Sequence, residues 1–105
     1  MITYEVTLDV VPEHAERLDA YMLDKHIAEV VATGCFVAAT YYRDGDRRRT
    51  VYEAEDRESL DLYLSEFAAK LRDDFAEHFP NGVTPSREEW HAVCRFDSEQ
   101  KRGIW

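Results

Sequence analysis

Residues 35–55 read CFVAATYYRDGDRRRTVYEAE. Cys35 to Arg43 is rich in strand formers, Asp44-Gly45-Asp46 is a hairpin turn, and Arg48 to Glu55 is a second strand. Alternation gives that second strand two different faces, Thr50, Tyr52 and Ala54 on one side and Val51, Glu53 and Glu55 on the other. A central hairpin of this kind leaves one question, namely what lies on either side of it.

On the N-terminal side, Pro12 suits a first helical turn, and Glu13 and Glu16 complement its positive end. The helix is predicted to reach about Ala32, with Ala20, Leu23, Ile27 and Val30 at the centre of its buried stripe and Gly34 ending it in a left-handed cap. Before it, residues 2–10 alternate strictly, with Ile2, Tyr4, Val6, Leu8 and Val10 on one face and Thr3, Glu5, Thr7 and Asp9 on the other. On the C-terminal side, Leu60, Tyr63, Leu64, Phe67, Leu71, Phe75 and Phe79 form one apolar ridge at helical spacing, capped by Asp56 or Ser59. Pro80-Asn81-Gly82 closes that helix, and a last strand lies within Val83–Phe96 with Pro85 near its start.

Strand, helix, strand, turn, strand, helix, strand is the order of an α+β ferredoxin-like βαββαβ sandwich. Right-handed crossovers give an antiparallel sheet of order 4-1-3-2 with both helices on one face. We expect a single domain over residues 1–97 and a polar tail over 98–105. The bare face of such a sheet is commonly covered by a second copy, which predicts a homodimer closed as a dimeric α/β barrel. Glu5, Asp9 and Glu53 make the interior of any such barrel partly polar.

Composition narrows the function classes. A formal net charge of −9 repels phosphate backbones, so no nucleic-acid partner is expected. No apolar run approaches the roughly 20 residues that span a bilayer, so no membrane partner is expected either. The opening directly into a strand pattern, without a signal segment, predicts a cytoplasmic location. Cys35 and Cys94 fall in different predicted strands and read as free thiols. His14, His78 and His91 share no metal-ligand spacing, so neither a metal nor a cofactor is expected. Arg47-Arg48-Arg49 reads as an anion contact or as a solvated hairpin, and the flanking aspartates favour the latter.

The segment His26-Ile27-Ala28-Glu29-Val30-Val31-Ala32-Thr33-Gly34-Cys35-Phe36, with the opening Met1-Ile2-Thr3-Tyr4-Glu5-Val6-Thr7, resembles a family of small bacterial proteins. That family is a domain of unknown function in the dimeric α/β-barrel superfamily. The stretch around Leu60, Tyr63, Leu64, Leu71-Arg72 and Phe79 is similar to the family's second helix. The resemblance covers most of residues 1–88, and from Trp90 to Trp105 the chain departs from it. It implies a dimeric barrel and supplies no reaction.

The wider superfamily includes cofactor-independent monooxygenases, ethyl-tert-butyl-ether-degradation (EthD) proteins and polyketide cyclases. In several of them a histidine late in the first helix faces a pocket between helices and sheet, and His26 before Gly34-Cys35-Phe36 is similar to that arrangement. On a helical wheel His26 lies at the flank of the buried stripe, where a half-buried imidazole can shuttle protons near neutral pH. The alternative is a structural histidine bonded to a carbonyl or carboxylate. Tyr21, Met22, Tyr41, Tyr52, Glu5 and Glu53 are the ligand-binding candidates, the two glutamates as a pair on one side of neighbouring central strands, able to share a proton or hold a cation. Three functions follow as expectations. The first is binding of a small apolar or aromatic molecule between helices and sheet. The second is cofactor-independent catalysis, monooxygenase- or EthD-like, with His26 as acid or base. The third is a structural protein-interaction module.

Overall fold

The computed structural model describes residues 1–98. The chain runs β1 (Ile2–Val10), α1 (Pro12–Tyr21), a π-helical turn (Met22–His26), α2 (Ile27–Ala32), β2 (Ala38–Asp44), β3 (Arg47–Ala54), α3 (Arg57–Glu66), α4 (Ala68–His78) and β4 (Val83–His91). Apart from Ser98, the expected tail over 98–105 lies outside the described residues.

The four strands form one sheet in the order β2-β3-β1-β4, every pair antiparallel, which is the predicted ferredoxin-like order read from the other edge. Strand alternation divides β1 as the sequence requires. Ile2, Tyr4, Leu8 and Val10 are buried beneath the helices, and Thr3, Glu5, Thr7 and Asp9 lie on the opposite, open face. The inner face carries two apolar clusters. One gathers Tyr4, Val30, Phe36, Tyr52, Leu60 and Tyr63, and the other Leu8, Leu18, Tyr21, Met22 and Phe79. Asp56 accepts from Ser59 N at 2.8 Å and caps α3, as expected.

The first helical segment differs from its predicted stripe. Leu18, Tyr21, Met22 and Val30 are buried, whereas Ala20 is exposed and Leu23 is 61% exposed. The cause is the π turn, in which Ile27 N donates to Met22 O five residues back. One inserted residue displaces the helical wheel by about 100° relative to a regular helix of 3.6 residues per turn. The buried stripe upstream of it therefore falls at 18, 21 and 22 in place of 20 and 23.

The long second helix is broken as well. Phe67, at φ −123° and ψ −33°, separates α3 from α4. At this break Ala68 is buried in the first core cluster and Phe67 packs against it. The thiols lie outside the strands where the sequence placed them: Cys35 is buried in the connection before β2, Cys94 is exposed beyond β4, and both are free.

The arginine triplet is not simply solvated. Alternation in β3 points the middle residue inward, and Arg48 is only 4% exposed. Its guanidinium donates to both carboxylate oxygens of Asp19, at 2.6 and 3.1 Å, and to the carbonyl of Gly45 at 2.8 Å. Arg47 pairs with Asp44, while Arg49 contacts Thr7 and Glu5 on the open face.

Candidate functional site

Between the helices and the inner sheet face lies a cleft floored by Tyr4, Val6 and Leu8 of β1 and Tyr52 of β3. Met22 and His26 come down from the π turn, Phe75 and Arg72 from α4, and Pro85 and Arg87 from β4. Its cavity volume is about 40 Å³. One water needs roughly 10–15 Å³ by the same measure, so a few waters fit as it stands. A larger molecule would extend from it to the exposed side chains of Arg72 and Arg87, which also line the cleft.

The π turn builds the heart of the site. Residues five apart on a regular helix diverge by about 140°. Widening that turn instead sets the Tyr21 and His26 rings in a stack 5.6 Å apart. The Tyr21 hydroxyl lies 3.5 Å from His26 Nδ1 and donates to Asp74 Oδ2 at 2.6 Å. Lys25 donates to the same carboxylate oxygen at 2.7 Å and also reaches Glu29 at 2.8 Å. Phe75 meets the His26 ring edge-on at 5.6 Å.

These surroundings set the proton affinities. Burial lowers the His26 pKa below its ordinary value, with Glu29 and Asp74 opposing and Lys25 and Arg87 reinforcing the shift. The imidazole is thereby biased toward its neutral form at neutral pH, in which one ring nitrogen can accept a proton. Hydrogen bonds from Lys25 and Tyr21 hold Asp74 down to about 2. Burial and the neighbouring Asp74 carboxylate raise the Tyr21 phenol, while burial pushes Tyr63 up to about 12. Tyr21 therefore stays protonated and hydrogen-bonded to Asp74.

Of the sequence candidates, Met22, His26 and Tyr52 line this cleft, and Tyr21 stands directly behind His26. Tyr41 is elsewhere, its hydroxyl donating to Asp19 at 2.8 Å near the hairpin. Glu5 and Glu53 are on the open face, diagonal to one another because Glu5 faces Val51 and Glu53 faces Thr3. Glu5 accepts from Thr3 at 2.9 Å and lies 3.7 Å from Arg49, so its partners are a hydroxyl and a cation rather than the other glutamate. Among the described residues no group of three or more His, Cys, Asp or Glu could hold a metal ion.

The open face carries its own basin of about 430 Å³ beside the hairpin, with Glu5, Thr7, Tyr42, Arg47, Arg49 and Val51 in its lining. The sequence reading missed Tyr4, Tyr63, Phe75, Arg72 and Arg87 as lining residues of the inner cleft. For Arg87 a signal existed. The register sets it opposite Val6 on the inward face of β4, and Pro85, two residues earlier, marks the same face.

Residues 1–93 match the family described as Domain of unknown function (DUF4286). The chain belongs to this family. The match runs a few residues beyond Glu88, into the stretch that departs from the resemblance. No curated protein matches the chain.

Solved structures of the same fold are similar over nearly its whole length. A Deinococcus radiodurans protein provisionally described as an antibiotic biosynthesis monooxygenase has a TM-score of 0.72 at 17% identity, covering 92% of this chain and 97% of that one. A dimeric ferredoxin-like protein from an uncultured marine organism has a TM-score of 0.68 at 11% identity, with 91% and 97% covered. The heme-degrader MhuD of Mycobacterium tuberculosis, solved with two hemes in its active site, has a TM-score of 0.67 at 13% identity, with 92% and 100% covered. At these identities the likeness establishes the ferredoxin-like fold.

Proposed function

We propose that this DUF4286 protein binds a small, largely apolar molecule in the cleft between its helices and sheet. The observation that carries this reading is a cleft walled by Val6, Leu8, Met22, Phe75 and three tyrosines, into which the π turn delivers one half-buried histidine. An apolar lining with a few placed polar groups is the usual character of a ligand site. A homodimer joined through the open sheet faces accords with the dimeric description of the ferredoxin-like neighbours. We further propose a cytoplasmic, bacterial protein, a reading supported by its free thiols. Among the described residues no helix is long and apolar enough to cross a membrane.

Acid–base catalysis by His26 is a second reading, favoured by the Tyr21–Asp74 hydrogen bond behind the imidazole. Tyr21 positions the ring by stacking, Asp74 fixes Tyr21, and the remaining ring nitrogen can take a proton from a molecule in the cleft.

Native mass spectrometry of untagged protein, purified gently from its expression host and then exposed to a fragment library, tests the binding reading. We expect a small-molecule adduct that disappears in Val6→Phe, which fills the cleft. A chain that carries nothing and takes up no fragment would overturn it. Turnover lost in His26→Ala with ligand uptake retained would favour the catalytic reading.

A further inference from the structure

We propose that the ligand of this cleft is a small carboxylate with an apolar body, its charge held by Arg72 and Arg87 at the mouth. This rests on the reading that the cleft binds a ligand, and it names that ligand's class.

The charge distribution carries the argument. The chain bears a formal net charge of −9, yet the lining of this cleft includes two guanidinium groups and no carboxylate. Elsewhere four arginines pair with acids, Arg47 with Asp44, Arg48 with Asp19, Arg49 with Glu5, and Arg57 with Asp61 and Glu89, while Arg17 bonds the His78 carbonyl outside this cleft. Arg72 instead donates to the neutral Tyr4 hydroxyl at 2.8 Å. Arg87 has neither a hydrogen bond nor an ion pair among the described residues. Two like charges beside one cleft repel each other, and an anion placed between them relieves that repulsion.

Geometry selects the kind of anion. Arg87 projects from the sheet beside Val6 and Arg72 from α4, so the two approach the cleft from opposite walls. Guanidinium groups present paired N–H donors that match the two oxygens of a carboxylate. The floor beneath them, Val6, Leu8, Tyr52 and Phe75, is apolar and suits a hydrocarbon or aromatic body. A phosphate would find no helix N-terminus among these lining residues and no apolar partner in such a floor. His26, biased toward its neutral form, adds a hydrogen-bonding group without adding a competing negative charge.

The test uses matched probes on the intact protein. Benzoate and hexanoate are titrated against benzamide and hexanamide while amide NMR shifts of Val6, Met22, His26 and Phe75 are followed. The carboxylates are expected to bind at least tenfold more tightly than their amides. Arg87→Gln should remove most of that preference and Arg72→Gln/Arg87→Gln all of it, while Arg72→Lys retains part. Arg87→Gln removes no hydrogen bond or ion pair among the described residues, so it reads the effect even if the double variant does not fold. Equal binding of acids and amides in the cleft would overturn the carboxylate assignment and leave the cleft reading intact. Probes that shift none of the four residues would remove both. Inorganic phosphate binding there as tightly as benzoate would overturn the assignment to an apolar carboxylate.

Discussion

His26 owes its state to burial more than to any charged partner, and that has a consequence for stability. Its folded-state pKa is lowered from 6.5, so between the two values the unfolded chain binds the proton more readily than the native one. The contribution of a neutral His26 is therefore fully present above about pH 6.5 and is lost as pH falls through the lowered value. We expect the His26 ring to titrate below 6.5 by NMR. We also expect the melting temperature of the wild type to fall more between pH 7 and pH 5 than that of His26→Gln. Equal slopes for the two proteins would show that the imidazole is not held neutral by the fold. Asp74 acts in a lower window. Its value of about 2 against an ordinary 3.8 makes its contribution complete above 3.8 and lost as pH drops toward 2. The two groups are thus separable in one pH titration, although they share Tyr21 as a neighbour.

At the scale of elements, the connection from α4 to β4 depends on Gly82. This residue has φ +84°, and a Cβ placed on it would collide with the His14 ring at the start of α1. Its carbonyl accepts from Val11 N at 2.9 Å, tying the entry of β4 to the end of β1. Gly82→Ala should cost about 1–3 kcal/mol, from left-handed backbone strain and the displaced ring, as read by urea unfolding. A variant as stable as wild type would mean that the connection can relax into a right-handed turn. The strand and hairpin pattern was legible in the sequence because period-two alternation in β1 and β3 depends only on which residue follows which. The inner placement of Tyr52 was legible for the same reason. What was not legible came from irregularity. A helical wheel assumes one period throughout, so it put Ala20 and Leu23 inside and missed the displacement at Met22–His26. It also gave one rod where Phe67 bends two. Glu5 and Glu53 lie on the open face that alternation gives them, and Tyr41, although on the inner face, stands in the edge strand β2 near the hairpin, where its hydroxyl reaches Asp19 and not the cleft.

For the whole molecule, the open sheet face and β4 are the parts left uncovered. Every residue of β4 after Val83 is exposed, and Trp90, 60% exposed, and Tyr42 stand on the open face at opposite edges of the sheet. A second copy would cover this face, and its mixed polar character agrees with an interface that keeps some water. In sedimentation velocity at tens of micromolar the chain should travel at twice the mass of one copy. Val51→Glu, which adds an acid between Glu5 and Glu53, should shift it toward monomer by at least tenfold in dissociation constant. A wild type that sediments as monomer would leave the sheet face to another partner. The wide turn at Met22–His26 also bears on how this chain is set against its relatives. It spends one residue more than a regular helix would to connect the same two faces. An alignment that runs through this helix without a gap, against a relative whose helix is regular, would put Leu18, Tyr21 and Met22 opposite residues that point to solvent. A single gap between positions 22 and 27 would restore the match of inward faces on both sides.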